Sequence, residues 1–147
     1  MAFVADGDTL RLLDGRRVRL LQIDAPEPGS ECYGQAATGA VRALAPPGTP
    51  VELESDPRLD GRDRFGRLLR YVFVGQTNLN VVLVERGVAA PYFYRDERGR
   101  HAGELMEAAQ DAREARRGLW GACPRARLEP QRALDTGAPK RRAARSR

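Results

Sequence analysis

Thr9-Leu10-Arg11-Leu12-Leu13-Asp14-Gly15-Arg16-Arg17-Val18-Arg19-Leu20-Leu21-Gln22-Ile23 reads as two apolar, β-compatible runs, residues 9–13 and 16–23, hinged at Asp14-Gly15. An Asp-Gly pair between such runs is the strongest short hairpin signal, because both residues tolerate the positive φ that a tight turn needs. In the second run Val18, Leu20 and Gln22 alternate with Arg19, Leu21 and Ile23, so successive side chains face opposite sides. The run ends at Asp24-Ala25-Pro26-Glu27-Pro28-Gly29. Two prolines and a glycine there forbid regular structure.

Downstream, an alanine-rich segment over residues 34–45 predicts a helix, ended by Pro46-Pro47-Gly48. Residues 51–55 and 66–74 predict further strands, the latter with Leu69, Tyr71 and Phe73 alternating. A short helix is expected over 79–86, stopped by Gly87. The clearest helix spans 102–117, with Leu105, Ala108, Ala109, Ala112 and Ala115 at helical spacing and Gly118 placed as its C′ residue. The folded domain is expected to be residues 1–124. Residues 125–147 form a tail rich in Arg, Pro and Gly that leaves little to bury, and no fixed structure is expected there. Several short strands, an inserted helix and a helical end predict a five-stranded Greek-key barrel of the OB type with three α-helices.

The 147 residues suit one domain, and 41% hydrophobic content can build its core. No apolar run approaches the roughly 18 to 20 residues of a membrane span, and no signal-peptide pattern opens the chain. The net charge of +5 suggests a nucleic-acid partner, but its distribution changes that meaning. From Arg125 onward eight basic residues face only Glu129 and Asp135, so the tail holds +6 and residues 1–124 hold −1. Nucleic-acid binding by the domain must therefore rest on placed residues, with the tail adding sequence-independent attraction to phosphate. The two cysteines, Cys32 and Cys123, do not form a local zinc motif. They are either one disulfide, which would close a long loop, or two unpaired thiols.

Most catalytic vocabularies are absent. His101 is the sole histidine, and there is neither HExxH nor a P-loop. The Asp6-Gly7-Asp8 segment fails the EF-hand spacing. Carboxylates and arginines remain, in three segments: Asp6-Gly7-Asp8-Thr9, Arg19-Leu20-Leu21-Gln22-Ile23-Asp24-Ala25-Pro26-Glu27, and Asp63-Arg64-Phe65-Gly66-Arg67. Each alone has a bland reading as turn, cap or solvent-facing charge.

In this order, the three segments resemble the thermonuclease (staphylococcal nuclease) family over about residues 4 to 124. The Asn80 helix ending at Arg86-Gly87, Tyr92-Phe93-Tyr94 and the closing Leu119-Trp120 add to the likeness. The resemblance implies a calcium-dependent hydrolase of phosphodiester bonds in DNA and RNA, cutting to leave 3′-phosphate ends. It implies Asp8, Asp24 and the Ala25 main-chain carbonyl as Ca2+ ligands, and Arg19, Glu27 and Arg67 as the catalytic trio. Arg64, Phe65, Tyr92 and Tyr94 match nucleotide-binding positions, with Phe65 standing where the staphylococcal enzyme has a tyrosine. The family also implies secretion or another extracytoplasmic location, with a cytoplasmic one as the alternative, and a monomer without membrane contact.

The residue types suit that chemistry independently. Calcium takes six to eight oxygens, so two carboxylates and a carbonyl leave places for water and phosphate. Guanidinium forks pair with phosphate oxygens and stay protonated. Glu27 either accepts a proton from water or orients the water. Two departures stand out: the loop over residues 28–32 is short and lacks lysine, and only five residues precede Asp6, which predicts a truncated first strand. The rival reading is a catalytically inactive OB-fold module that binds nucleic acid or scaffolds other proteins. A third is a truncated, marginally folded product.

Overall fold

The computed structural model describes residues 3–137. The hairpin expected at Asp14-Gly15 joins β2 (Thr9–Arg11) to β3 (Arg17–Leu20), with Leu10 opposite Val18. Gly15 sits at φ 90°, as the turn requires. Before it, β1 (Phe3–Asp6) pairs with β2, and the register slips between Val4 and Asp6. Past the slip Asp6 pairs with Thr9, and Gly7-Asp8 makes the turn between the two strands. Val4, Leu10, Val18 and Leu20 point into the core and are all but inaccessible.

The second run does not continue unbroken to Ile23. It stops at Leu20, turns, and resumes as β4 (Ile23–Asp24). Gln22 adopts φ 66°, a left-handed conformation unusual for a residue with a side chain. Its amide compensates at both ends: Nε2 donates to the Glu97 carbonyl at 3.0 Å, and Oε1 accepts the Gly99 N–H at 2.8 Å. Tertiary bonds thus override the alternation of the sequence.

Helix α1 (Gly34–Leu44) follows, then β5 (Glu52–Glu54), β6 (Leu68–Val74) and β7 (Thr77–Asn78). The Asn78 side chain caps α2 (Leu79–Glu85), accepting from the Val81 N–H. Strand β8 (Ala90–Pro91) pairs with β4, and a single 3-10 turn (Tyr94–Asp96) leads towards α3 (Ala102–Glu114) and α4 (Leu119–Ala122). The main sheet has the order β1-β2-β3-β6-β5, with β7 beside β6. It is mixed: β3 and β6 run parallel and the other pairs antiparallel. Closing it into the expected five-stranded barrel would require β1 and β5 to pair. Among the described residues they do not pair, and β1 and β5 stand at the two ends of the strand order.

Helix α3 ends earlier than expected. Its C′ position is taken by Arg116 at φ 55°, and the Arg117 N–H reaches back to the Ala112 carbonyl at 2.9 Å in a Schellman closure. Gly118 (φ 53°) instead opens α4, and lies backbone to backbone against Gly87 (φ 73°), whose carbonyl accepts the Leu119 N–H. A Cβ at either glycine would collide with the other segment's carbonyl, which is why both are glycine. No helix among the described residues is long and apolar enough to cross a membrane.

The Cys32 and Cys123 sulfurs are bonded, with their Cα atoms 5.9 Å apart, tying the lead-in of α1 to the end of α4. The last helix ends at Ala122, and residues 125–137 carry neither helix nor strand. They nevertheless lie against the domain, which differs from the absence of fixed structure that their composition suggested. Pro130 accepts the Phe93 N–H at 2.7 Å, and Gly137 accepts the Cys32 N–H at 2.8 Å. The Thr136 hydroxyl donates to the Cys32 carbonyl. The rest of the tail, 138–147, lies outside the described residues.

His101 stands between Glu54 and Glu104, 2.9 Å from each carboxylate, and edge-on to Tyr71. Burial lowers its pKa, but the two carboxylates outweigh burial and hold it above the usual 6.5. A raised folded pKa gives stability that is complete below about pH 6.5 and lost as pH rises through the folded value. Thermal melts between pH 5.5 and 9 should therefore lose on the order of 1 kcal/mol or less, since both glutamates are partly exposed and screened. His101→Gln should flatten that slope; an unchanged slope would assign it to other groups.

Candidate active site

The site is built on one face of β3 and β6. Because β3 and β6 are in parallel register, Arg19 lies opposite Leu69, and Arg67, two residues earlier, shares that face. Val18 and Leu20 fill the core on the other side, so the hydrophobic set itself turns Arg19 towards the groove.

Arg19 is held from all sides. Its Nη1 donates to the Leu20 and Ile23 carbonyls at 2.7 Å each, and its Nη2 lies 3.4 Å from Asp8 and 3.3 Å from Asp24. The turn at Gln22 makes this possible, since it brings the Ile23 carbonyl back over β3. Asp8 and Asp24, sixteen residues apart in sequence, thus converge on a single guanidinium. The remaining bonds fix their carboxylates: Asp8 accepts from the Ala25 N–H at 2.9 Å and the Thr9 hydroxyl at 3.2 Å, and Asp24 accepts from the Leu134 N–H at 2.7 Å. Gly7 permits the approach, since a Cβ there would run into that of Ala25 at 2.6 Å.

Negative charge exceeds positive charge in this corner. Burial, together with the neighbouring Asp8 charge, pushes Asp24 up to about 7 and Asp6 up to about 6. Asp8 moves the other way: burial opposes its ionisation, but Arg19 and the hydrogen bonds to its carboxylate win. Two fixed carboxylates, Asp8 buried and Asp24 half-buried, beside a third acid are hard oxygen donors short of a cation, which suits a calcium ion. Among the described residues no three His, Cys, Asp or Glu side chains group as a metal centre, so such an ion would rest on Asp8, Asp24 and main-chain oxygen such as that of Ala25.

Arg67 is clamped from its own loop. Asp63 accepts from Arg67 Nε at 2.7 Å and from the Phe65 and Arg67 N–H groups at 3.0 Å. The Arg67 Nη1 lies 3.5 Å from the Thr9 hydroxyl, next to Asp8. Arg17 braces this loop through the Phe65 carbonyl at 2.6 Å. Glu27 is exposed, and its carboxylate has no partner among the described residues. Its backbone is fixed instead: its N–H donates to the Glu31 side chain at 2.9 Å, and Gly34 abuts its carbonyl so closely that any Cβ would clash. Of the other acids, it acts electrostatically on Asp6.

Arg19 and Arg67 line one groove of about 560 Å³, together with Arg64, Phe65, Tyr92 and Tyr94. All four residues matched to nucleotide binding are therefore in one hollow. Phe65 and Tyr94 are more than half exposed there, and Arg64 lies 4.9 Å over the Phe65 ring. Tyr92 and Tyr94 meet edge to face at 6.4 Å. Asp8, Asp24, Ala25 and Glu27 do not line the groove: Asp8 and Asp24 adjoin it through Arg19, Ala25 bonds to Asp8, and Glu27 is joined to this cluster only through its charge on Asp6. Sequence reasoning gave no site role to three features: Asp63 as the clamp of Arg67, Gln22 as the turn that seats Arg19, and the Leu134 N–H on Asp24. Asp63 lay within a quoted motif, whereas nothing in the composition of the tail pointed to Leu134.

Residues 17–122 match the model of the family described as staphylococcal nuclease homologue. An uncharacterized endonuclease of Escherichia coli O157:H7 is 34% identical over 121 residues, covering 80% of this chain and 72% of that protein. A micrococcal nuclease of Shigella flexneri is 33% identical, covering 80% and 70%. The thermonuclease of Staphylococcus intermedius is 31% identical, covering 80% and 72%.

Proposed function

Because this chain belongs to the staphylococcal nuclease family, we propose that it is a calcium-dependent nuclease hydrolysing phosphodiester bonds in single-stranded DNA and RNA, leaving 3′-phosphate ends. One observation carries the reading: Asp8 and Asp24 converge on Arg19 at the edge of a groove that also holds Arg67 and exposed aromatic rings. An inactive binding module would have no need for two mutually repelling carboxylates, one buried and one half-buried, at that edge.

Each group has a distinct task. Phe65, Tyr92 and Tyr94 offer ring faces and edges for bases, which suits unpaired strands and is indifferent to sequence. Arg67, fixed through Nε by Asp63, keeps its outer N–H groups for the phosphate oxygens, where charge accumulates as water attacks. Arg19 shares Nη2 between Asp8 and Asp24 and is available to the same phosphate when those carboxylates are otherwise engaged. Glu27, unpartnered but with a fixed backbone, orients the attacking water or takes its proton. Calcium, when bound on Asp8 and Asp24, would polarise the phosphate. An OB-type sheet, a monomer and an oxidising, extracytoplasmic compartment complete the proposal; the last agrees with the Cys32–Cys123 bond.

The test is digestion of a single-stranded oligonucleotide in millimolar calcium and in excess chelator, with Asp24→Asn beside wild type. Wild type should lose activity in chelator, and Asp24→Asn should retain about a hundredth or less at the same calcium. Full activity in chelator, or an Asp24→Asn enzyme equal to wild type, would overturn the metal assignment. End-group analysis of the products decides the polarity of cleavage.

A further inference from the structure

Beyond the groove a second hollow opens, and the chemistry above does not use it. It has a volume of about 380 Å³ and is formed where residues 125–137 cross β8. One wall is Ala90-Pro91; the other carries Arg125, Arg127 and Arg132, with Glu129 and Asp135 also at the rim. All three arginines are exposed, and none has an ion pair or side-chain hydrogen bond to any described residue. None of them pairs with Glu129 or Asp135, and one oxygen of Asp135 is already taken by the Gly137 N–H at 2.9 Å. Three unpaired guanidinium groups around one hollow form a site for a polyanion with several phosphates.

Its position names the polyanion. Ala90 lies opposite Asp24 in the β4–β8 pair, and Leu134, from the same hollow, donates its N–H to Asp24. One residue past Pro91, Tyr92 lines the catalytic groove. The two hollows therefore adjoin along the Ala90–Tyr92 segment, with Asp24 between them. A strand whose bases lie on Phe65 and Tyr94 can run past Asp24 towards the arginines.

We infer that residues 125–137 form a strap whose Arg125, Arg127 and Arg132 bind the phosphate backbone of the nucleic-acid strand beyond the bond being cut. The strap makes the enzyme favour long substrates over short ones. The inference rests on the proposed nuclease reading for its partner, but its site is separate from the catalytic groups.

The test uses the full chain with Arg125, Arg127 and Arg132 all changed to Gln. A control carries Arg42→Gln, Arg86→Gln and Arg113→Gln, which remove the same charge from other exposed positions. Binding of a labelled 20-nucleotide single strand is followed by anisotropy in chelator, so that no cleavage intervenes. Removing three phosphate contacts should flatten the plot of log Kd against log salt by about 2, and weaken binding on the order of a hundredfold at 50 mM salt. The control should change little, and turnover of a dinucleotide in calcium should stay at the wild-type value. Equal loss in both triple variants, or an unchanged salt slope in the strap variant, overturns the strap site. Wild type that binds the 20-mer through the strap yet never cleaves it would leave the strap standing and sink the nuclease reading instead.

Discussion

Replacing Arg67 with alanine is expected to lower kcat on single-stranded DNA by about a thousandfold, with a much smaller change in KM. Its Nε is committed to Asp63 and its Nη1 reaches only weakly to Thr9, so the outer edge of its guanidinium faces the groove. That edge gains most when phosphate oxygens take on charge, which puts the loss in turnover more than in binding. Lysine should not restore the rate, because one ammonium cannot hold the Asp63 bond and still present two parallel N–H groups to phosphate. Asp63→Asn should give a partial loss, since it loosens the clamp and leaves the guanidinium. The Arg67–Asp63 pair is only partly buried, so the variant should melt within about 1 kcal/mol of wild type. A normally folded Arg67→Ala enzyme with kcat within threefold of wild type would remove Arg67 from the chemistry. Arg19 is a poorer probe, because its bonds to the Leu20 and Ile23 carbonyls also hold the turn.

The second large effect is on stability. Reducing Cys32–Cys123, or replacing both residues with serine, should cost about 4 to 5 kcal/mol, because the bond closes a loop with a sequence separation of 91. For a chain of this size that is a fall in Tm on the order of 15 °C. The loss should reach the tail as well: Cys32 accepts from Thr136 and donates to Gly137, so freeing it loosens the segment that places the Leu134 N–H on Asp24. Scanning calorimetry with and without reductant measures the first part. Amide exchange at Leu134 reports the second. A Tm unchanged by reductant would mean that the segments around Cys32 and Cys123 stay in place without a covalent tie.

What the sequence made legible is what depends on short spacing. Asp14-Gly15 placed the hairpin, the alternation around Val18 and Leu20 aimed Arg19 out of the core, and Gly87 marked the end of α2. The third motif segment named Arg64 and Phe65 of the groove, and the separate Tyr92-Phe93-Tyr94 likeness named its tyrosines. What escaped depends on partners distant in sequence. Gln22 reads as an ordinary strand residue until Glu97 and Gly99 bond both ends of its amide. Arg116 gives no sign of a helix stop, because a left-handed C′ residue normally announces itself as glycine. The strap is low in apolar content and rich in breakers, so its attachment rests on backbone bonds to Phe93, Cys32 and Asp24 that composition cannot register.

The disulfide also divides the molecule in a way that its contribution to stability does not express. It makes a covalent ring of the chain from Cys32 to Cys123 and leaves the first thirty-one residues as an arm outside it. Asp8, Arg19, Asp24 and Glu27 are all on the arm, whereas Arg67 and the tyrosines are in the ring. Between β5 and β6 the ring carries a largely exposed loop, residues 55–67, most of which lies ahead of Arg67 and is open to a protease. A single cut there would turn one polypeptide into two, with the carboxylates on one and the phosphate-facing arginine on the other. The two would remain one molecule for as long as the sulfurs stay joined, so the intactness of the site would pass from the peptide backbone to the redox state of its surroundings.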